Sequence, residues 1–272
     1  MRAGLHRSLV TLFVMNPLVA FYRSSIGRKW VVAITGLVLF GFVVGHMAGN
    51  LQMFWGPDQI NSYAVHLRDL GPLLWVVRIV LLVCFVAHVQ CTIALARANR
   101  AARPEKYAYY NTKQASKASR TMAISGLIVL SFVIFHLLHF TFGWIDSKNA
   151  HFVQQMQDPR FGADRHDVYR MVIAGFNHWS VSFFYLVGIG LLCLHLSHGF
   201  ASVFQTLGLR NHRVEGVLRW TSGGLCALLF LGYCAIPLAV MTGALSDSNH
   251  PFGQPEKPAA NAGSGPKTAD AR

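Results

Sequence analysis

Five apolar runs, each long enough to cross the hydrocarbon core of a bilayer as a helix, dominate this sequence. They cover residues 30–54, 73–96, 122–144, 179–203 and 217–241, where roughly 20 residues suffice for one crossing. No Asp or Glu falls inside the first four, and Glu215 only borders the fifth. A chain that is 53% hydrophobic and 13% charged has too little polar surface to wrap such runs in water. The expected fold is therefore all-α, an integral membrane bundle of five transmembrane helices, because a helix satisfies its own backbone in lipid.

The placement of charge orients that bundle. The net charge is +13, which taken alone would suit a nucleic-acid partner. However, Arg2, Arg7, Arg23, Arg28 and Lys29 precede the first run, seven basic residues fill 97–120, and Arg210, Arg213 and Arg219 fill the fourth connection. Fifteen of 24 basic residues thus share one side with only Glu105 and Glu215, and the other nine acidic residues fall on the opposite side. The positive-inside rule then puts the N-terminus in the cytoplasm and the C-terminus outside, with no role for nucleic acid. Residues 1–27 read as a cytoplasmic arm; the Pro17 break and the lack of a small-residue cleavage site argue against a signal peptide. Residues 28–245 form the membrane domain, and 246–272, rich in Pro, Gly and Ala, read as a disordered external tail.

Inside the runs, one pattern occurs twice. Thr35-Gly36-Leu-Val-Leu-Phe-Gly-Phe-Val-Val-Gly-His46 and Ser125-Gly126-Leu-Ile-Val-Leu-Ser-Phe-Val-Ile-Phe-His136 agree at five of twelve positions, with His ten residues after Gly in each. His88 and His195 lie inside two further runs. An imidazole in hydrocarbon is costly without a partner. A single one commonly bonds a neighbouring hydroxyl or carbonyl, but four at matched depths point to ligation. His46 lies sixteen residues beyond Trp30, and His136 sixteen beyond Arg120, so both sit about 24 Å from the cytoplasmic boundary. His88 is nine residues before Arg97, about 14 Å from that boundary, and His195 lies in the inner half of its run.

Depth therefore sorts the four into an outer pair and an inner pair, each drawing one residue from either half of the chain. Two imidazoles facing across a bundle with a flat cofactor between them are bis-His ligation of b-type haem. Pattern alone leaves His136 open against His139, and His195 against His198, three residues apart in each case. Gly41, Gly45 and Gly49 run beside His46 and suit either close helix packing or a flat ligand. The five cysteines read as small buried hydrophobes, and no C-x-x-C-H is present to attach haem covalently. Arg78, a charge a few residues into a run, is the outer candidate for a haem propionate; Lys29, Arg97 and Arg120 are the inner ones.

These residues resemble the di-haem cytochrome b membrane anchor subunit of succinate dehydrogenase/fumarate reductase, the type with five transmembrane helices. The resemblance covers 27–241 and rests on Thr35-Gly36…Gly45-His46-Met47, Ala87-His88, Ser125-Gly126…His136 and Leu194-His195-Leu-Ser-His-Gly199. It implies two haem b groups, the distal one on His46 and His136 and the proximal one on His88 and His195, chosen because the family's fourth ligand precedes Gly by four residues. Some members carry a carboxylate two residues before that ligand, associated with transmembrane proton movement; here Cys193 stands there. The implied partners are a flavoprotein and an iron–sulfur subunit on the cytoplasmic face, docked on 97–120 and the N-terminal arm, in the inner membrane of a prokaryote. The resemblance also leaves room for a homo-oligomer of the whole complex.

Succinate chemistry would belong to a partner, since this chain has neither a Gly-rich dinucleotide fingerprint nor a cysteine cluster. The quinone, menaquinone or ubiquinone, would react at the outer end, where Asn50, Gln52, Trp55, Asp58, Gln59, Asn61, Tyr63, His66 and Asp69 gather. Of these, Asn50, Trp55, His66 and Asp69 are the named candidates; the capping of an interface explains the same residues. Two rival readings are a di-haem cytochrome b of a hydrogenase or formate dehydrogenase, and a His-lined metal transporter. The second would want mid-membrane carboxylates, which the runs lack.

Overall fold

A computed structural model of the chain describes residues 17–102, 117–145, 153–154 and 165–247. Within these the five apolar runs are helical, except that the third, read as 122–144, leaves the helix after Thr141, and short elements join them at the two ends. The long helices are α2 (Ser25–Asn50), α4 (Pro72–Ala101), α5 (Lys117–His136), α7 (Trp179–Thr206) and α8 (His212–Met241). The short ones are α1 (Pro17–Arg23), α3 (Pro57–Asp69) and α6 (Val168–Asn177). All five long helices, with their immediate continuations, are long and apolar enough to cross a membrane. Residues 103–116, much of the expected docking loop, lie outside the described residues, as do 1–16 of the arm and 248–272 of the tail.

Local chemistry sets the element ends. Ser24 caps α2 by accepting from the Gly27 amide, and any Cβ on Gly27 would strike the Phe21 carbonyl, so the α1–α2 corner requires glycine. At the far end Gly56, at φ 96°, leads into Pro57 at the start of α3, and Gly71, at φ 53°, leads into Pro72 at the start of α4. Each pair joins a residue tolerant of positive φ to one pre-set for a first helical turn. Neither α3 nor α6 was expected; the polar stretch after Asn50 folds into a helix rather than a loop. A two-residue antiparallel ladder, Val153–Gln154 with Arg165–His166, is the only strand pairing among the described residues.

Packing follows the two halves of the chain. α2 lies against α4, α5 lies against α7, and the pairs join through α2 and α7, with a thinner contact between α4 and α5. These four helices enclose a common interior across which α2 faces α5 and α4 faces α7. α8 covers α7 and part of α2, with Gly232 admitting the Met47 thioether where a Cβ would collide with it. Similarly, the Phe132 ring of α5 occupies the place a Cβ on Gly188 of α7 would take.

The burial is inverted relative to a soluble bundle. α4 exposes Leu73, Trp75, Val76, Val77, Ile79, Val80, Leu82 and Val83 over most of its surface, a continuous apolar patch that a water-soluble monomer would not tolerate. Tyr, Cys, Ser and His turn inward instead; Tyr185, Cys193, Ser182 and His139 are all buried.

At the α3 end a polar latch ties the short helices together. Asn61 and Asp167, both at 0% exposure, bond side chain to side chain at 3.0 Å. Asp167 also caps α6 through the Arg170 amide, and Asn61 accepts from the Tyr169 amide, each at 3.1 Å. The start of the expected tail joins in, since Asp247 pairs with Arg170 at 2.7 Å.

Candidate functional site

The two copies of the repeated motif do the same structural work. Thr35 and Gly36 on α2 face His88 on α4; Ser125 and Gly126 on α5 face His195 on α7. A Cβ on Gly36 would stand 3.2 Å from His88 Cε1, and one on Gly126 would stand 3.5 Å from His195 Cε1. At Gly36 the ring stands closer than a Cβ would normally allow, whereas at Gly126 a Cβ would make an ordinary contact.

Each hydroxyl also fixes how its ring is protonated. Thr35 Oγ1 gives its proton to the Val31 carbonyl at 2.6 Å and lies 3.2 Å from His88 Nδ1. With that proton committed, the oxygen accepts from Nδ1–H. Ser125 Oγ likewise donates to the Met122 carbonyl at 3.2 Å and lies 3.4 Å from His195 Nδ1. A neutral imidazole held as a donor at Nδ1 keeps the Nε2 lone pair for a metal. His88 on α4 and His195 on α7 each face the partner helix of their own pair, α2 and α5.

The α2–α5 diagonal carries the second pair. His46 and His136 face each other with ring centroids 5.8 Å apart and planes at 80°. His136 Nδ1 lies 3.4 Å from the Tyr185 hydroxyl. Phe42 stacks on His46 from one turn earlier, with centroids 5.3 Å apart. Tyr233 of α8 reaches into α2 beside His46 and donates to the Val43 carbonyl at 2.7 Å.

His46 is the one ring of the four that meets a donor. Asn50 Nδ2 serves the His46 carbonyl at 2.7 Å and lies 3.3 Å from Nδ1. As placed, this amide makes Nδ1 an acceptor, the opposite of the other three rings, and a half-turn would set Oδ1 against the His46 carbonyl oxygen. His46 gains the shared tautomer only with the Asn50 amide turned away from Nδ1.

The His46–His136 spacing is one that two imidazoles on a single metal would have. A metal–imidazole bond of about 2.0 Å, with the nitrogen about 1.1 Å from the ring centre, puts the centroids of two opposed ligands roughly 6.3 Å apart. The His46–His136 separation of 5.8 Å is within about half an ångström of that value. Cβ atoms on Gly41 and Gly45 would meet nothing within 4 Å, so these glycines do not serve close packing between helices.

The choices left open by sequence pattern now have positions. His136, not His139, faces His46. His139 sits in a widened π-helical turn, Leu137–Thr141, buried against Phe140 and 3.1 Å from the Tyr185 hydroxyl. His195, not His198, meets the Ser-Gly pair; His198 is half-buried on the same helix.

Other candidates are not brought to the rings. Arg78 is exposed, with its guanidinium 5.1 Å from the Trp75 ring centre. Trp55, His66 and Asp69 are exposed around α3, and Lys29 and Arg97 are exposed at the other end; the side chain of Arg120, on the first turn of α5, lies outside the described residues. Asn61 is built into the latch. Tyr185 and Tyr233 escaped notice in the sequence. Their signal was available: a tyrosine deep in an apolar helix needs a partner for its hydroxyl.

Comparison of the chain with protein-family models, curated proteins and solved structures finds no match.

The contact at Gly36 makes a prediction. Gly36→Leu drives a branched side chain into the His88 ring and should remove a haem bound by His88 and His195 while sparing one bound by His46. Haem content per polypeptide, with the visible spectrum of what remains, measures this. Full retention of both would show that the close approach at Gly36 is unnecessary.

Proposed function

We propose that this chain is the di-haem cytochrome b anchor of a succinate:quinone oxidoreductase, passing electrons between an iron–sulfur partner and membrane quinone. The observation that carries the reading is the facing of His46 and His136 across one helical interior that also holds His88 and His195, with three of the four Nδ1 atoms next to a hydroxyl. His46 with His136 and His88 with His195 would hold two haem b groups through Nε2. Haem supplies one-electron chemistry between such ligands. The chain's own residues orient those rings, keep water and other ligands from them, and set the spacing of the two centres along the bundle.

In this reading the N-terminus and the basic connections face the cytoplasm of a prokaryote, and α3 and α6 lie at the external end. Flavoprotein and iron–sulfur partners would dock at the basic end, where Lys29, Arg97, Arg100, Arg210, Arg213 and Arg219 are exposed. Quinone would react beside α3, where Asn50 touches His46 and where Trp55, His66 and Asp69 offer stacking, an imidazole and a carboxylate. Quinone reduction takes up two protons, which such groups can deliver.

The test is reduction by substrate. In membranes holding the chain with its co-purifying partners, succinate should reduce b-type absorption bands, and added quinone should reoxidise them. Bands that ignore succinate but respond to hydrogen or formate would move the chain to another respiratory complex.

A further inference from the structure

The interior holds a fifth histidine that the proposed function does not use. His139 is 4% exposed and Tyr185 3% exposed, both deep between α5 and α7. The Tyr185 hydroxyl stands between two ring nitrogens, 3.1 Å from His139 Nδ1 and 3.4 Å from His136 Nδ1. Several features build this placement. The π-helical turn carries His139, and Gly175 of α6 admits it, since a Cβ there would lie 3.1 Å from its Cε1. Tyr185 is walled by Phe132, Phe135, Phe140 and Phe176, with centroids 5.0–5.9 Å away, so its ring has no room to turn.

We infer that Tyr185 is a positioning residue for His136, anchored by His139, and that together they set the redox potential of one haem only. The inference rests on the di-haem reading. A hydroxyl has one proton, so between two imidazole nitrogens it donates to one and accepts from the other. His136 can bind iron through Nε2 only with its proton on Nδ1, and that proton points at Tyr185. Tyr185 therefore accepts from His136 and donates to His139 Nδ1. Both bonds strengthen each other, because a hydroxyl that donates is a better acceptor. An acceptor on Nδ1–H makes the imidazole more electron-donating, which favours ferric over ferrous iron and lowers the potential. At the other three rings the Nδ1 neighbour is Thr35, Ser125 or Asn50, each bonded to a backbone carbonyl. No second imidazole stands behind them among the described contacts. The device thus separates the potentials of two otherwise similar centres.

Tyr185→Phe keeps the ring and removes the oxygen. In the purified holo-complex, a redox titration followed optically should show one b-type potential moving upward and the other unchanged. The ferric electron paramagnetic resonance signal of the moved haem should change too, because its ligand plane is released. His139→Leu leaves Tyr185 in place without its own acceptor, and should move the same haem in the same direction by less. If Tyr185→Phe fails to hold that haem, His139→Leu carries the test. Two haems at wild-type potentials and unaltered signals in a variant that loads fully would overturn the inference and leave the di-haem reading standing. A wild-type protein that binds no haem would instead fail the reading itself.

Discussion

On the proposed reading, alanine at His46 or His136 should remove one haem and leave the other, and alanine at His88 or His195 should do the reverse. Each substitution would take away one of the two imidazoles proposed to hold that haem, and neither pair shares a residue with the other. The two members of a pair should therefore give the same spectral loss, although they come from opposite halves of the chain and stand 90 or 107 residues apart. His139→Ala and His198→Ala serve as controls and should retain two haems, since neither ring faces a second ligand. Haem per polypeptide, determined on purified protein, reads the result as two falling to one. Loss of both haems in every single variant would mean that the centres assemble together. Retention of both in His136→Ala with loss in His139→Ala would reverse the assignment on α5.

Asp167→Ala should be the most destabilising substitution outside the helical interior. Asp167 accepts from the Asn61 amide and from the Arg170 backbone, at 3.0 and 3.1 Å, with no exposed surface. Removing it leaves the buried Asn61 amide without that acceptor, at about 1–3 kcal/mol, and the part-buried Arg170 amide without its cap, at about 1 kcal/mol. It also uncouples α3 from α6, the elements that close the His46 end. Asp247→Ala breaks a shorter contact, 2.7 Å to Arg170, but Asp247 is more than half exposed, so its loss should cost less than about 1 kcal/mol. Thermal unfolding in detergent should show a large downward shift for Asp167→Ala and almost none for Asp247→Ala. Similar shifts for the two would mean that the latch does not hold the end of the bundle.

Much of this architecture was legible in the sequence, for physical reasons. Lipid admits few backbone solutions, so long apolar runs without carboxylates become helices, and the runs read from residues 30–54 and 179–203 fall within helical segments ending at Trp55 and Thr206. A fixed rise per residue turns sequence position into depth, which is why His46 could be set beside His136 before any coordinates. Depth carries no information about facing, however. His136 and His139 are three residues apart, only about 60° around a regular helix, and the π-helical turn after His136 alters even that relation.

The short helices were hidden for another reason. α3 reads as a polar stretch because its capping comes from Gly56 and Pro57, and its partner Asp167 lies more than 100 residues away. Polar side chains there suggested a binding site, yet Asn61 is a structural latch. The pairing of Thr35 with His88 and of Ser125 with His195 was half visible. The repeat was plain in the letters, but its role in holding rings of the other helix is a tertiary fact.

The central claim is that one polypeptide holds two iron porphyrins between histidines of opposite halves. It is tested most directly by measuring haem in the purified complex and titrating its absorption against potential. The account predicts two b-type haems per chain and two resolved transitions. A complex with its partners intact that lacks Soret absorption, or carries a single haem per chain, would contradict it.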